Sequence, residues 1–253
     1  MLFSFCRNDG NALPLIAQQY HETRISFSLG PAPTGIDATV PPQAALFLDY
    51  VFLDQDERQR FAQSQHQYLI EQLQYPGAEN AVISSSNKKS QNVRLNFNHP
   101  CKSVIWVAKG LDHGVFTAGP QGTKASAFGP LYQSKLQLNG NDRFSSRYGS
   151  YFDKVQPWQT QGSDNAAGIY AYNFAFKPAE HQPSGTCNFS RIDNTTLNLT
   201  FKQAATGATA ISDIRDEEHV PAGATALQSL QIYAVSYNLY RVMGGLAGLA
   251  YAN

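Results

Sequence analysis

The sequence predicts an all-β protein: a jelly-roll sandwich of two four-stranded antiparallel sheets, with short helices and long loops. Three observations lead there. Roughly nine segments carry strand patterning, and in Thr195–Phe201 the apolar Leu197, Leu199 and Phe201 alternate with Thr196, Asn198 and Thr200, the period of two expected when one face is buried. The 253 residues include 13 Tyr and 15 Phe, and aromatic side chains suit pleated sheets and buried contacts. The connections between strand candidates are long and rich in turn formers, as in sandwiches whose strands pair with distant partners.

Taken in order, residues 2–22 are mixed: Phe3 and Phe5 flank Ser4, and Asn8-Asp9-Gly10 is a turn signal. Residues 23–29 alternate Ile25, Phe27 and Leu29 with Arg24, Ser26 and Ser28, predicting a half-buried strand; a loop rich in Pro and Gly follows. Residues 44–53 are apolar on both faces, which predicts a central strand covered on both sides. Asp54 or Asp56 caps a short helix to about residue 64, anchored by Phe61. Residues 68–74 read as strand in preference to continued helix, and 77–90 as a solvated loop. Residues 92–97 and 103–108 have the spacing of a hairpin across Asn98-His99-Pro100, and 109–130 form a long surface loop. Leu131–Leu138 is a strand ended by Asn139-Gly140. Asp142 then caps a helix that places Phe144, Tyr148, Tyr151 and Phe152 on one face. Residues 169–176 put Tyr170, Tyr172, Phe174 and Phe176 on one side of a strand, 204–225 form a second long loop, and 230–240 a long final strand. In the small, apolar tail, Gly244 and Gly248 have the spacing of close backbone contact.

Composition excludes several classes. The formal net charge is zero and only 15% of residues are charged, so the chain is neither disordered nor shaped by an electrostatic partner. It lacks the Lys/Arg footprint of direct nucleic-acid binding. Three widely spaced cysteines, Cys6, Cys101 and Cys187, argue against a disulfide framework and read as small buried hydrophobes in a reducing compartment. There is no signal pattern and no apolar run long enough for a transmembrane segment, so the chain reads as soluble and intracellular. The sequons at Asn188, Asn194 and Asn198 then escape ordinary glycosylation.

No catalytic, cofactor-binding or metal-ligating residue is assigned. Ser184 follows a proline without a motif base nearby, and there is no nucleophile elbow, zinc motif or phosphate-binding glycine loop. Asp213, Asp216, Glu217, Glu218 and His219 lack the ligand spacing of a calcium loop and read as a solvated charge run. His21 beside Glu22, and His181 beside Glu180, read as hydrogen-bonded structural histidines.

The most informative stretch is residues 180–193, EHQPSGTCNFSRID. Pro183 and Gly185 forbid a helix there. Ser184, Thr186, Asn188 and Ser190 offer side-chain bonds to the backbone, and Arg191 and Asp193 lie on one side of an extended chain, where they can pair. This stretch resembles the signature loop of the major capsid proteins of nucleocytoplasmic large DNA viruses, the group containing iridoviruses, phycodnaviruses and mimivirus-like giants. Four further blocks match in the same order: CRNDGNALPLIAQQYHE at 6–22, LDQDERQRFAQSQHQYLIEQLQ at 53–74, LNGNDRFSSRYGSYFDKVQP at 138–157 and YAVSYNLYRVMGGLAGLAYAN at 233–253.

The resemblance implies the C-terminal jelly roll of a double-jelly-roll chain, with residues 1–22 as a hinge from an absent N-terminal roll and 23–253 as the roll itself. It implies a non-enzymatic structural protein of the virion without cofactors, assembled in the host cytoplasm. Its partners would be other major capsid chains, in a homotrimer that forms a pseudo-hexagonal capsomer of an icosahedral shell, together with minor capsid proteins. Tyrosine suits contacts where the ring is buried and the hydroxyl stays hydrated. Many of Tyr20, Tyr132, Tyr148, Tyr151, Tyr233, Tyr237 and Tyr240 are therefore expected at intersubunit or interdomain contacts. Two other readings of a jelly roll are a lectin-like carbohydrate-binding module and a cupin-like enzyme. The second needs clustered metal ligands, and the six histidines are scattered.

Overall fold

Alternating apolar and polar side chains turn most of this chain into strands. The computed structural model describes residues 3–27, 45–79, 89–110, 130–165, 168–204, 219–220 and 227–252. In order the strands are β1 His66–Gln74, β2 Ala78–Glu79, β3 Lys89–Arg94, β4 Pro100–Gly110, β5 Leu131–Leu138, β6 Asn141–Asp142 and β7 Arg147–Tyr148. Then come β8 Ile169–Asn173, β9 Cys187–Asn188, β10 Thr195–Phe201, β11 Gln203–Ala204, β12 His219–Val220, β13 Leu227–Met243 and β14 Leu246–Leu249. The α-helices are α1 Ser4–Arg7, α2 Gln55–Gln63 and α3 Gln156–Gln161.

One sheet follows the order β1-β13-β4-β8, with β2, β9 and β14 attached. A second follows β3-β10-β5-β6, with β7 beside β5, and β11 and β12 form a separate two-stranded parallel pair. β4 runs antiparallel to β13 and β8, and β10 antiparallel to β3 and β5. Only β5 and β6 are sequence neighbours along these paths. Early strands interleaved with late ones across two antiparallel sheets make the jelly roll that the sequence predicts.

The chain divides into two compact units, residues 1–70 with 239–252, and residues 71–238. In the larger unit, β10 buries Thr195, Leu197, Leu199 and Phe201 and leaves the intervening residues half-exposed. Leu197 stands opposite Val93 on one side and Leu136 on the other. The other sheet builds a matching row, with Trp106 between Ile232 and Tyr170. All six side chains are buried, and full burial of an apolar side chain stabilises by about 1.5–3 kcal/mol. The Tyr170 hydroxyl accepts the Leu131 N–H at 3.0 Å, tying β8 to β5, and burial pushes its pKa above the ordinary phenol value.

A buried cation adds a polar tie within this unit. Lys102 Nζ pairs with Glu71, donates to the Pro178 carbonyl at 2.8 Å, and sits 5.7 Å from the centre of the Tyr237 ring. A buried ammonium is tolerated only when so surrounded. In the smaller unit, α2 starts as predicted, with Asp54 Oδ1 accepting the Gln55 N–H at 2.7 Å. Phe61 packs on His66, ring centres 5.1 Å apart. β1, of which residues 66–70 belong to this unit, is the strand expected over 68–74, starting two residues earlier.

Several expectations are corrected. The described part of 23–29 forms no strand, and neither do the described residues of 44–53. Phe47 and Phe52 are 91% and 92% exposed; nothing among the described residues pairs with that backbone or covers those faces. β3 and β4 are not a hairpin but lie in different sheets, the chain crossing over at His99 with φ 66°. Asp142 caps no helix. Asn139 and Gly140, both at positive φ, form a tight turn that folds β6 back on β5, and β7 also pairs with β5. The helical segment begins only at Gly149 and runs through a π-helical turn, Tyr151–Val155, into α3. Gly244 and Gly248 meet nothing close, whereas a Cβ on Gly245 would come within 2.5 Å of the Tyr20 ring. Cys6 is exposed and Cys187 half-buried, leaving only Cys101 as the buried thiol expected. The loop 109–130 and the acidic run 213–218 lie almost wholly outside the described residues.

Candidate assembly surface

The signature segment is held by its own side chains and by the core. Phe189 is buried and meets Phe97 and Phe174 edge-on, with ring centres 6.0 and 5.8 Å away. Asn188 Oδ1 accepts the Ser190 N–H at 3.1 Å, and Ser190 Oγ accepts the His99 N–H at 2.7 Å, satisfying the donor at the sheet crossover. Ser184 Oγ accepts the Lys177 N–H at 2.9 Å, which closes the loop over Pro178 to Pro183, while Lys177 Nζ pairs with Glu180 at 2.9 Å. A Cβ on Gly185 would lie 3.0 Å from the Phe174 carbonyl oxygen, and φ there is 141°. Ser184, Asn188 and Ser190 therefore act as expected. Among the described residues Thr186 makes no such bond and Arg191 and Asp193 do not pair; the Asp193 carbonyl instead accepts from Arg94 Nη2 at 3.3 Å. The segment is thereby fastened to β4 and to the sheet crossover at His99.

No three His, Cys, Asp or Glu residues among those described gather as a metal cluster. Glu22 pairs with Arg24, not with His21. Burial pushes the Cys101 thiol up to about 12, with Cys187 adding to the shift, and burial raises Cys187 as well. Neither is an activated thiol.

What this surface offers is shape and aromatic area. Of the seven tyrosines expected at contacts, Tyr237 is buried in its unit, Tyr20 and Tyr148 are exposed, and the other four are half-buried. Tyr132 meets Tyr148 edge-on at 5.5 Å, Arg147 stacks 4.2 Å over Tyr151, and Tyr75 stacks on Tyr233 at 4.8 Å. Tyr240 accepts a bond from Gln18 Nε2 at 2.8 Å. Sequence reasoning missed Trp158, 65% exposed in the larger unit, and set Phe176 on one side of a strand with Tyr170, whereas that strand ends at Asn173 and Phe176 is 82% exposed. The position of Trp158 on a helix that shows its other face to the core was hidden by the misplaced helix start.

Residues 57–248 match the family model described as large eukaryotic DNA virus major capsid protein, and residues 1–54 match the model of the major capsid protein N-terminus. The chain belongs to the large eukaryotic DNA virus major capsid protein family. It is 45% identical over 287 residues to the major capsid protein of Paramecium bursaria Chlorella virus 1, covering 100% of this chain and 66% of that protein. To the major capsid protein of Pyramimonas orientalis virus it is 42% identical, covering 99% of this chain and 60% of that protein. A chain of the PBCV-1 virus capsid quasi-atomic model superposes with a TM-score of 0.80 at 41% identity, over 100% of this chain and 70% of that one. The chain thus spans roughly two thirds or less of the length of these capsid relatives. Within the family frame the exposed apolar residues 46–52 fall in the part matched by the N-terminal model.

Proposed function

We propose that this chain is a structural part of the shell of a large DNA virus, carrying the C-terminal jelly roll of a double-jelly-roll major capsid protein. The carrying observation is the succession of two capsid models along one chain, 1–54 and then 57–248, on a jelly-roll frame. The change from one family model to the other falls between 54 and 57, so we assign the segment up to 54 to the N-terminal roll and its connection. Leu46, Phe47, Tyr50, Val51 and Phe52, apolar and exposed, are then residues that the N-terminal roll covers.

Three copies assemble through apolar and aromatic side walls into a trimer of six sandwiches, which tiles an icosahedral capsid with minor capsid proteins between capsomers. Assembly takes place in the host cytoplasm, and the protein performs no catalysis. A sandwich suits this work because its packed sheets are rigid while its loops vary without disturbing the core.

Native mass spectrometry and negative-stain class averages of the polypeptide that carries this sequence test the reading. A three-copy, six-lobed particle is expected. A stable monomer at micromolar concentration refutes it.

A further inference from the structure

Two thiols face one another beside the signature segment. β9 pairs with β4 so that Cys187 stands directly opposite Cys101. Directly opposed residues of an antiparallel pair project from one face, with Cα atoms about 4.5 or 5.5 Å apart according to the hydrogen-bonding position. A disulfide accepts Cα separations of about 4.4–6.8 Å, so either position accommodates one without moving the strands. Both cysteines are free. Cys101 belongs to the buried core and Cys187 packs against that core. Among the described residues, Cys101 Sγ reaches the Asn98 and His99 carbonyls, each at 3.6 Å, weak partners that a disulfide would release at little cost.

We propose that Cys101 and Cys187 are a disulfide-forming pair, oxidised by a low-molecular-weight disulfide such as oxidised glutathione, whose closure locks β9 and the signature segment onto β4. Cys187 is the more accessible thiol and reacts first. It loses its proton to solvent, and its thiolate attacks one sulfur of the glutathione disulfide; that S–S bond breaks and one glutathione departs as thiolate, taking up a proton. Cys101 then loses its proton and attacks the Cys187 sulfur, forming the protein disulfide and expelling the second glutathione. Two protein thiols are oxidised, one small disulfide is reduced to two thiols, and no other electron acceptor is required. Because burial makes both thiolates scarce at neutral pH, the reaction is slow there and quickens with rising pH. The closed loop is long, so the cross-link restricts the unfolded chain strongly.

The test uses the 253-residue chain with Cys6→Ser, since exposed Cys6 otherwise joins chains to one another. After incubation with oxidised glutathione at alkaline pH and alkylation under denaturing conditions, a peptide linking Cys101 to Cys187 is expected. The melting temperature should rise by about 5 °C or more over the reduced form and fall back on reduction. Adding Cys187→Ser changes a half-buried site and should abolish both the linked peptide and the rise. The proposal is overturned if glutathione remains on Cys187 while Cys101 is alkylated, if both thiols stay free, or if the Cys187→Ser protein shows the same rise.

Discussion

Asp153 is a buried carboxyl whose Oδ1 has no hydrogen-bond partner among the described residues. It stands in the π-helical turn, where its carbonyl accepts the Asn165 N–H at 2.8 Å; Pro157, four residues on, has no N–H to offer it. Burial pushes the side chain up to about 6, and the charges of Lys154 and Lys202 offset only part of that. The folded protein therefore binds this proton more tightly than the unfolded chain, whose aspartates titrate near about 3.9. The stabilisation is complete below about pH 4 and is lost as pH rises through about 6. Asp153→Asn keeps the shape and removes the charge. Its stability should stay flat across that window while the parent's falls, leaving the variant ahead at pH 7 by on the order of 1 kcal/mol once screening is allowed for. Urea midpoints from pH 4 to 7 read this directly, and parallel curves for the two proteins would refute it.

Among the elements, the joint between β7 and the helical segment is the most constrained by a single residue. Gly149 is buried, and a Cβ there would lie 2.3 Å from the Leu131 carbonyl oxygen, on the strand that β7 pairs with. Backbone cannot yield as a side-chain tip can, so Gly149→Ala must separate the helix start from β5. A loss of about 1–3 kcal/mol is expected, against little change for Gly248→Ala, which meets nothing within 4 Å. Denaturant midpoints of the two variants check the contrast. The same region shows where sequence reasoning reached its limit. β5, β10 and β13 were legible because one buried face imposes a period of two, and α2 because Asp54 caps it. The helix at 142 was misread because Phe144, Tyr148, Tyr151 and Phe152 also fit a helical period. The Asn-Gly signal, taken as a strand end, is equally the signal of a returning strand, and β6 is that strand. The crossover between β3 and β4 was illegible for another reason: a short link joins two strands equally well within a sheet or between sheets, and only the pairing with β10 and β13 decides. The signature segment's hydrogen bonds were largely readable from its Ser and Asn content, whereas the opposition of Cys101 and Cys187 depends on a register that no local pattern carries.

For the whole chain, the apolar residues that remain in water govern behaviour in solution. Residues 44–53 were read from their two-sided apolarity as a central strand covered on both sides; the described residues among them form no strand and are largely exposed. Leu46, Phe47, Leu48, Tyr50, Val51 and Phe52 are all exposed, and contiguous apolar surface of this kind drives association. The isolated 253-residue chain should therefore elute from a sizing column as oligomers at micromolar concentration. Phe47→Ser combined with Phe52→Ser removes the two most exposed rings and should shift elution towards the monomer. Because neither ring is packed, unfolding stability should change by no more than about 0.5 kcal/mol. A parent chain that elutes as a clean monomer would show that these rings are covered in solution, and would remove the basis for proposing that the N-terminal roll covers them. Oligomers that survive the double substitution would place the sticky surface elsewhere, on Trp158 and Phe176 of the larger unit.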